Sequence, residues 1–213
     1  DEKDFLYPTS GEGRKKLLVY AIFGLLSKEE EEKKINLFLV EEPENHLHRS
    51  MQIALSHNLF LEGKYKYLFM TTHSSCVLSE MDHVNLVRIY NKDKILSKSV
   101  VYKVPNEYKN QRNILNRGLA EAIFADKVLL VEGPSEIVLF EKVLSIIEPL
   151  YESEGTCVLA VGGVGFIPYY SILKQLNIKT LIKTDNDLRR IKGKRKYSLL
   201  GFIRLNNLID EKI

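Results

Sequence analysis

Short apolar runs alternate with longer stretches of helical periodicity along this chain. Continuous apolar runs of this length are typical of strands buried in a parallel sheet. In the spaces between them, residues 14–26 and 135–147 place apolar side chains along one stripe, as amphipathic helices do. The alternation predicts an α/β fold with a mainly parallel sheet. The predicted strands are residues 35–40, 67–71, 127–131, 157–161 and 180–183.

A change of pattern between residues 100 and 125 divides the chain. Before it, residues 85–104 alternate on both sides of a polar turn, which predicts two strands joined by that turn. A polar stretch follows, and a new strand–helix–strand pattern begins at Lys127. We therefore predict two domains, residues 1–104 and 126–213, with a linker at residues 105–125.

Composition sets only broad limits on function. Hydrophobic residues make up 45% of the 213 residues, and the formal net charge of +3 permits nucleic-acid binding without arguing for it. Cys76 and Cys157 lack metal-ligand spacing and are expected to be free thiols in a reducing compartment. With no apolar run near ~18 residues and no signal peptide, we expect a cytoplasmic protein without membrane contact. Because the chain starts at Asp1 without Met, we also expect a piece of a longer protein.

Three segments of the first half carry residue types suited to phosphate and magnesium chemistry. The first strand is followed by two adjacent carboxylates, Glu41 and Glu42. One of them can hold a magnesium shell while the other orients an attacking water. His73 follows the next strand, and open α/β sheets bind ligands at that edge. A Ser-Gly-x-Gly loop, residues 10–13, precedes the first helix and offers backbone amides to a phosphate.

In this order the three segments resemble the C-terminal half of an ABC ATPase head. The resemblance implies that Glu41 is the Walker B acid, Glu42 the catalytic glutamate and His73 the switch histidine. It also implies an ATP-binding signature motif at Ser10, Gly11 and Gly13, and residues 44–48 resemble the D-loop of the OLD and SMC-like branch. The chain contains no G-x-x-x-x-G-K-[ST] motif, so we expect the P-loop in a preceding segment.

Acidic residues also follow strands of the second half. The strand at residues 127–131 ends in Glu132-Gly133-Pro134-Ser135-Glu136, where we predict that Ser135 caps the next helix. A glycine turn at residues 162–165 follows another strand, and the last strand leads into Asp185-Asn186-Asp187. Clustered carboxylates suit Mg²⁺, and two such ions can activate a water and stabilise the leaving oxygen of a phosphodiester.

This arrangement resembles the Toprim fold, and an ABC head followed by a Toprim domain is the order of the OLD family. The resemblance implies an ATP-regulated endonuclease of bacterial antiphage defence that cuts double-stranded DNA, with Mg²⁺ (or Mn²⁺) and ATP as cofactors. Its implied metal ligands are Glu132, Glu136, Asp185 and Asp187, and its implied catalytic residues are Glu132, Asp185 and Asp187 with Glu42 at the ATPase site.

The family resemblance also implies partners. We expect a homo-oligomer, either a dimer or a tetramer, because ABC heads complete one another's nucleotide sites. The motifs VEGPSE and TDND resemble those of one branch of the OLD family, and that branch implies a helicase-like partner subunit. A later basic catalytic residue is expected outside this chain. The basic run at residues 189–196 predicts sequence-independent contact with the DNA backbone.

Two alternatives stay open. The chain is compatible with a non-catalytic ABC/SMC-like DNA clamp or sensor whose Toprim domain is vestigial, although the full set of acids argues against it. A Toprim primase or topoisomerase is the second alternative, and the ABC motifs argue against both.

Overall fold

The computed structural model describes residues 11–29, 36–61, 65, 67–81, 85–89, 101–103, 117–193 and 196–208. Ser10, the turn at residues 91–93 and most of the predicted linker lie outside these ranges. The chain divides into two compact units, residues 1–84 and residues 85–213. In the described part of the chain, no helix combines the length and the apolar character that a membrane crossing requires.

The first unit is built on two parallel strands. Its elements are α1 (Glu12–Glu29), β1 (Leu37–Glu41), α2 (Arg49–Ser56), a π-helical turn (His57–Leu61), β2 (Tyr67–Thr71) and α3 (Ser75–Ser79). β1 and β2 pair in register from Leu37 opposite Tyr67 to Glu41 opposite Thr71. Both strands therefore end at the same edge, and the segments that follow them begin side by side.

The core of the first unit lies against one side of α1. Leu47, Leu55 and Leu59 are buried, and Leu17 and Tyr20 pack against them. The opposite side of α1 is exposed, and its exposed apolar residues are Leu18, Val19, Ile22, Phe23, Leu25 and Leu26. The described residues of the first unit therefore cover only part of the predicted apolar stripe.

The second unit contains a three-stranded parallel sheet of order β6-β5-β7. Its elements are β3 (Asn85–Val87), β4 (Val101–Lys103), α4 (Arg117–Ala122), β5 (Lys127–Val131), α5 (Pro134–Ile147), β6 (Thr156–Ala160), α6 (Phe166–Gln175), β7 (Lys179–Ile182), β8 (Leu188–Arg190), β9 (Tyr197–Leu199) and α7 (Leu200–Asn206). β3 pairs with β4, and β8 with β9, as antiparallel ribbons. The described sheets are thus parallel except for these two ribbons, and the α/β prediction is confirmed.

The central strand β5 carries the core of the second unit. Val128, Leu130 and Val131 are buried, because β5 is paired on both sides and covered by helices. α4 contributes Leu119 and Ala120, and α6 contributes further apolar side chains, including Phe166, Ile172 and Leu173. Burial of this strand fixes the position of the residue that follows it, Glu132.

Several local predictions need correction. Ser135 is not the cap of α5: the helix begins at Pro134, and Gly133 is its N-cap. α5 buries none of its side chains, although its sequence has an apolar stripe. The segment predicted as a linker contains α4, whose Leu119, Ala120 and Ala122 are buried. Arg189 and Arg190 of the basic run lie in β8 of the β8–β9 ribbon, which the sequence pattern did not predict.

Candidate functional site

The carboxyl edge of the β5–β7 pair carries the acidic residues of the second unit. β5 pairs with β7 in parallel, with Leu130 opposite Ile182, so Glu132 and the segment from Lys183 emerge together. Two further backbone hydrogen bonds extend the edge, from the Lys183 N–H to Leu130 and from the Gly163 N–H to the Glu132 carbonyl, at 2.9 and 2.8 Å. Residues more than fifty positions apart in sequence are thereby brought into contact.

Glu132 is the point at which the segments meet. Its Oε1 accepts hydrogen bonds from the Thr184 hydroxyl and from the Asp185 N–H, the latter at 2.9 Å. The Arg204 guanidinium lies 3.4 Å from the same oxygen. The Glu132 side chain is 19% exposed, so these donors replace much of the water that a carboxylate would otherwise bind.

Glu136 accepts hydrogen bonds from the backbone at the start of α5. Its Oε2 accepts the N–H groups of Glu132 and Gly133, at 2.7 and 3.0 Å, as an N3 glutamate does in a capping box. Its Oε1 accepts a hydrogen bond from the Lys183 ammonium. Burial raises the pKa of Glu136, but the hydrogen bonds from Lys183 and the two N–H groups, with the charge of Lys183, lower it on balance.

Lys183 joins Glu136 to the Asp-x-Asp segment. Its Nζ donates to Asp185 Oδ1 at 2.6 Å in addition to Glu136. The hydrogen bonds to Asp185 and Glu136 raise the pKa of Lys183 to about 12, against the opposing effect of burial. The side chain is therefore a cation at any physiological pH, and it neutralises part of the charge of two carboxylates.

Arg204 joins Glu132 to the Asp-x-Asp segment, as Lys183 joins Glu136 to it. Its Nη2 donates to Asp187 Oδ2 at 2.8 Å, and its Nη1 approaches Glu132 Oε1 and Thr184 Oγ1 at 3.4 and 3.3 Å. The structure thus gathers Glu132, Asp185 and Asp187 at one edge and adds two cations to them. The Asp185 and Asp187 side chains remain 63% and 50% exposed, so solvent reaches them.

The oxygen atoms left open at this edge suit a hard cation. Among the described residues, no donor reaches Glu132 Oε2, Asp185 Oδ2 or Asp187 Oδ1, whereas both oxygens of Glu136 are engaged. Carboxylate oxygens are the ligands that Mg²⁺ prefers, so the donor set fits this ion chemically. Within the described ranges, however, no three Asp, Glu, His or Cys side chains already surround one common point that an ion can occupy.

Sequence reasoning missed three residues of this edge. Lys183 and Thr184 stand directly before the Asp-x-Asp motif, and a basic residue at a strand end beside acids was a usable signal. Arg204 carried no signal, because it belongs to no motif and reaches the site only through the docking of α7. The ligand and catalytic roles of Glu132, Glu136, Asp185 and Asp187 stay predictions.

A second polar cluster lies at the carboxyl edge of β1 and β2. The structure brings Glu42 and His73 together, with His73 Nε2 3.3 Å from Glu42 Oε1. Asn45 Nδ2 donates to Glu42 Oε2 at 2.6 Å. The Glu42 backbone has φ 40°, in the left-handed region, and its N–H donates to the Thr71 carbonyl at 3.0 Å. Strain of this kind is commonest at functional sites.

The other predicted ATPase residues lie around this cluster or outside the described ranges. Glu41 is the exposed last residue of β1. Gly11 and Gly13 flank the start of α1, and Ser10 lies outside the described residues. The Lys16 ammonium donates to the Asn45 carbonyl at 2.8 Å, which ties α1 to the loop after β1.

Glu44 is a buried carboxylate whose importance the sequence did not reveal. Its Oε1 accepts the Thr72 hydroxyl at 2.6 Å and the His73 N–H at 2.8 Å. Its Oε2 is buried and has no hydrogen-bond partner among the described residues. Since Glu44 holds the His73 backbone, it couples the loop after β1 to the loop after β2.

The comparisons with known proteins identify the class. A family model for the Toprim domain of overcoming-lysogenization-defect-like (OLD-like) proteins matches residues 123–187, which include Glu132, Asp185 and Asp187. The chain is 28% identical to the Old nuclease of Escherichia phage P2 over 181 residues, which are 80% of the chain and 31% of that relative. The chain belongs to the OLD family, as its motifs indicated.

Within this family, the chain is also similar to two proteins named endonuclease GajA. The chain is 50% identical to the endonuclease GajA of Bacillus cereus strain VD045 over 207 residues, 97% of the chain and 36% of that relative. It is 27% identical to the endonuclease GajA of Bacillus cereus strain HuB5-5 over 191 residues, 76% of the chain and 28% of the relative. The chain thus spans about a third of the length of these relatives.

Proposed function

We propose that this chain is part of a metal-dependent DNA endonuclease of bacterial antiphage defence, similar to GajA. The observation that carries the proposal is the hydrogen bond from the Asp185 N–H to Glu132, which joins the two acidic segments at one sheet edge. The OLD-like Toprim match covers both segments. The similarity to the endonuclease GajA and to the Old nuclease supports the activity.

The side chains at this edge suit the hydrolysis of a phosphodiester. Glu132, Asp185 and Asp187 would hold Mg²⁺ or Mn²⁺ through the oxygens that the protein leaves open. Such ions, when bound, supply a water nucleophile and stabilise the leaving oxygen. Glu136 orients the start of α5 and holds Lys183, so its predicted role as a further ligand would require one of its oxygens to be released.

The first unit supports the proposal of an ABC-type ATPase end. The pairing of Glu42 with His73 beside two parallel strand ends is consistent with a catalytic glutamate and a switch histidine. In this proposal Glu41 is the Walker B acid, and Ser10, Gly11 and Gly13 contact ATP bound by a second copy. ATP would then regulate cleavage, and the P-loop would come from another part of the protein.

The proposed partners follow from the same family. Double-stranded DNA is the substrate, and the exposed Arg189, Arg190 and Lys196 of the β8–β9 ribbon are suited to contact its phosphates. Pairing of ABC-type heads favours a dimer or a tetramer. The similarity to GajA, the nuclease subunit of the Gabija system, suggests a helicase-like partner subunit like GajB.

One observation favours the alternative of a non-catalytic clamp or sensor with a vestigial Toprim domain. Lys183 and Arg204 already neutralise the carboxylates, and no ready set of three ligands exists among the described residues. The open oxygens on all three carboxylates weigh against this alternative. A single substitution separates the two functions.

Asp185→Asn should abolish Mg²⁺-dependent DNA cleavage by the intact protein and leave ATP binding unchanged. The substitution removes a carboxylate charge from the metal site, whereas the proposed nucleotide site lies in the other unit. Cleavage of plasmid DNA is measured with and without Mg²⁺, and ATP binding by filter binding. The matched control is Glu154→Gln, an exposed carboxylate of the same unit, which should cleave normally. Full cleavage by Asp185→Asn would contradict the nuclease assignment, and loss of ATP binding would mean that the two sites are interchanged.

A further inference from the structure

Two cations lie between the acidic side chains at the edge of β5 and β7. Lys183 Nζ bridges Glu136 and Asp185, and the Arg204 guanidinium bridges Glu132 and Asp187. Each cation therefore contacts one residue after β5 and one after β7. Four carboxylates crowded at one edge repel one another, and a cation between each pair offsets that repulsion.

Arg204 is held in place by the packing of α7 on the Asp-x-Asp segment. The Leu200 N–H donates to the Asp187 carbonyl at 2.8 Å. Gly201 is buried, and a Cβ added there would lie 2.5 Å from the Asp185 carbonyl oxygen. A close backbone approach at Gly201 thus places Arg204, one turn further along α7, beside Glu132 and Asp187.

The cations use the same carboxylates that the proposed metal site needs. Lys183 holds Asp185 Oδ1, and Arg204 holds Asp187 Oδ2 and approaches Glu132 Oε1. A divalent ion bound to these three residues brings two further positive charges to the same edge. Since like charges in close proximity disfavour one another, ion binding and these two contacts compete.

We propose that Lys183 and Arg204 are the internal counter-cations of this edge, which hold the carboxylates together without metal and are displaced when a divalent ion binds. The inference rests on the proposed metal site and adds to it a role for two residues outside its motifs. Their contacts with the carboxylates oppose metal binding instead of assisting it. The affinity for the ion is therefore set by the strength of these ion pairs as well as by the ligands.

The test measures Mn²⁺ binding by the intact protein without nucleotide, by electron paramagnetic resonance of the free ion. Arg204→Gln should bind Mn²⁺ about 2- to 5-fold more tightly than the wild type, the scale of one partly exposed ion pair. Lys183→Gln should tighten binding in the same direction and provides a second variant if Arg204→Gln does not fold. The matched control is Lys142→Gln, which removes one exposed positive charge from α5 away from the carboxylates and should bind like the wild type.

The outcomes separate this inference from the proposed function. Weaker or unchanged Mn²⁺ binding in both Arg204→Gln and Lys183→Gln would overturn the inference, because the cations would then orient the ligands or have no influence on the ion. If Lys142→Gln binds Mn²⁺ more tightly to the same extent, the inference is also overturned, since the effect would then come from the change in net charge. The proposed metal site itself is contradicted if the single variant Asp185→Asn binds Mn²⁺ as tightly as the wild type does. This outcome is independent of the results for Arg204→Gln and Lys183→Gln.

Discussion

At the scale of single residues, Cys157 is a thiol that belongs to neither polar cluster. Cys157 lies in β6 and is half-buried, and its Sγ is 3.8 Å from the Val158 carbonyl oxygen. Burial, together with the nearby charges of Glu121, Glu141 and Glu152, raises the pKa of Cys157 to about 11. Because the thiolate is the reactive form, this thiol is inert near neutral pH.

We expect Cys157 to react with iodoacetamide at pH 8 more than about 100-fold more slowly than a cysteine in an unfolded peptide. The raised pKa leaves the thiol protonated below about pH 11, so the alkylation rate should still be rising at pH 9 to 10. The measurement is peptide mass spectrometry in a Cys76→Ser background, which leaves Cys157 as the one cysteine of this chain. A rate that reaches a plateau below pH 9 would show that Cys157 is not shielded in this way.

At the scale of elements, the position of α7 depends on the absence of a side chain at Gly201. Gly201→Ala places a Cβ 2.5 Å from the Asp185 carbonyl oxygen, so either α7 or the Asp-x-Asp segment must move. We expect a net loss of stability of about 1–3 kcal/mol and a lower melting temperature of the intact protein. The helix propensity gained from alanine, up to about 1 kcal/mol, only partly offsets this loss.

The control for Gly201 is Gly13, another helical glycine whose added Cβ would meet a neighbour. At Gly13 the nearest atom is Leu47 Cδ2, at 2.8 Å, which is the end of a flexible side chain and moves at little cost. Gly13→Ala should therefore change the melting temperature little or raise it. Equal destabilisation by both substitutions would show that the backbone contact at Gly201 has no special importance.

The elements with strong local patterns were predictable, and those that depend on tertiary docking were not. β2 and β5 have the predicted bounds, and β6 and β7 are each displaced by one residue, because continuous apolar runs define buried strands. The α5 cap was missed because Glu136 caps the helix through its side chain while Ser135 carries no such contact. α7 and Arg204 follow from contacts with residues far away in sequence, which a local pattern does not encode.

At the scale of the whole molecule, each of the two units carries its own polar cluster at a strand edge. We expect a non-hydrolysable ATP analogue to change DNA cleavage by about 5- to 150-fold, corresponding to a coupling of about 1–3 kcal/mol. His73, which contacts Glu42 and is held by Glu44, is the proposed sensor. The analogue can change cleavage only if it binds one of two arrangements of the protein more tightly than the other. If His73 provides this difference in affinity, His73→Ala should remove the response to the analogue and keep metal-dependent cleavage.

The comparison of wild type and His73→Ala, each with and without the analogue, distinguishes the possibilities. An equal response in both proteins means that His73 is not the sensor. No response in either protein means that nucleotide binding serves assembly and not control of cleavage.

The long separation between Glu132 and the Asp-x-Asp segment has a consequence for folding. The hydrogen bonds from Thr184 and Asp185 to Glu132 close loops of 52 and 53 residues, and such non-local closure is slow compared with the formation of a helix. A chain that has formed α5 but has not yet docked β7 presents Glu132 and Glu136 without Asp185 and Asp187. An ion that binds the complete edge therefore selects chains that have finished this pairing, and it raises their share of the population by mass action.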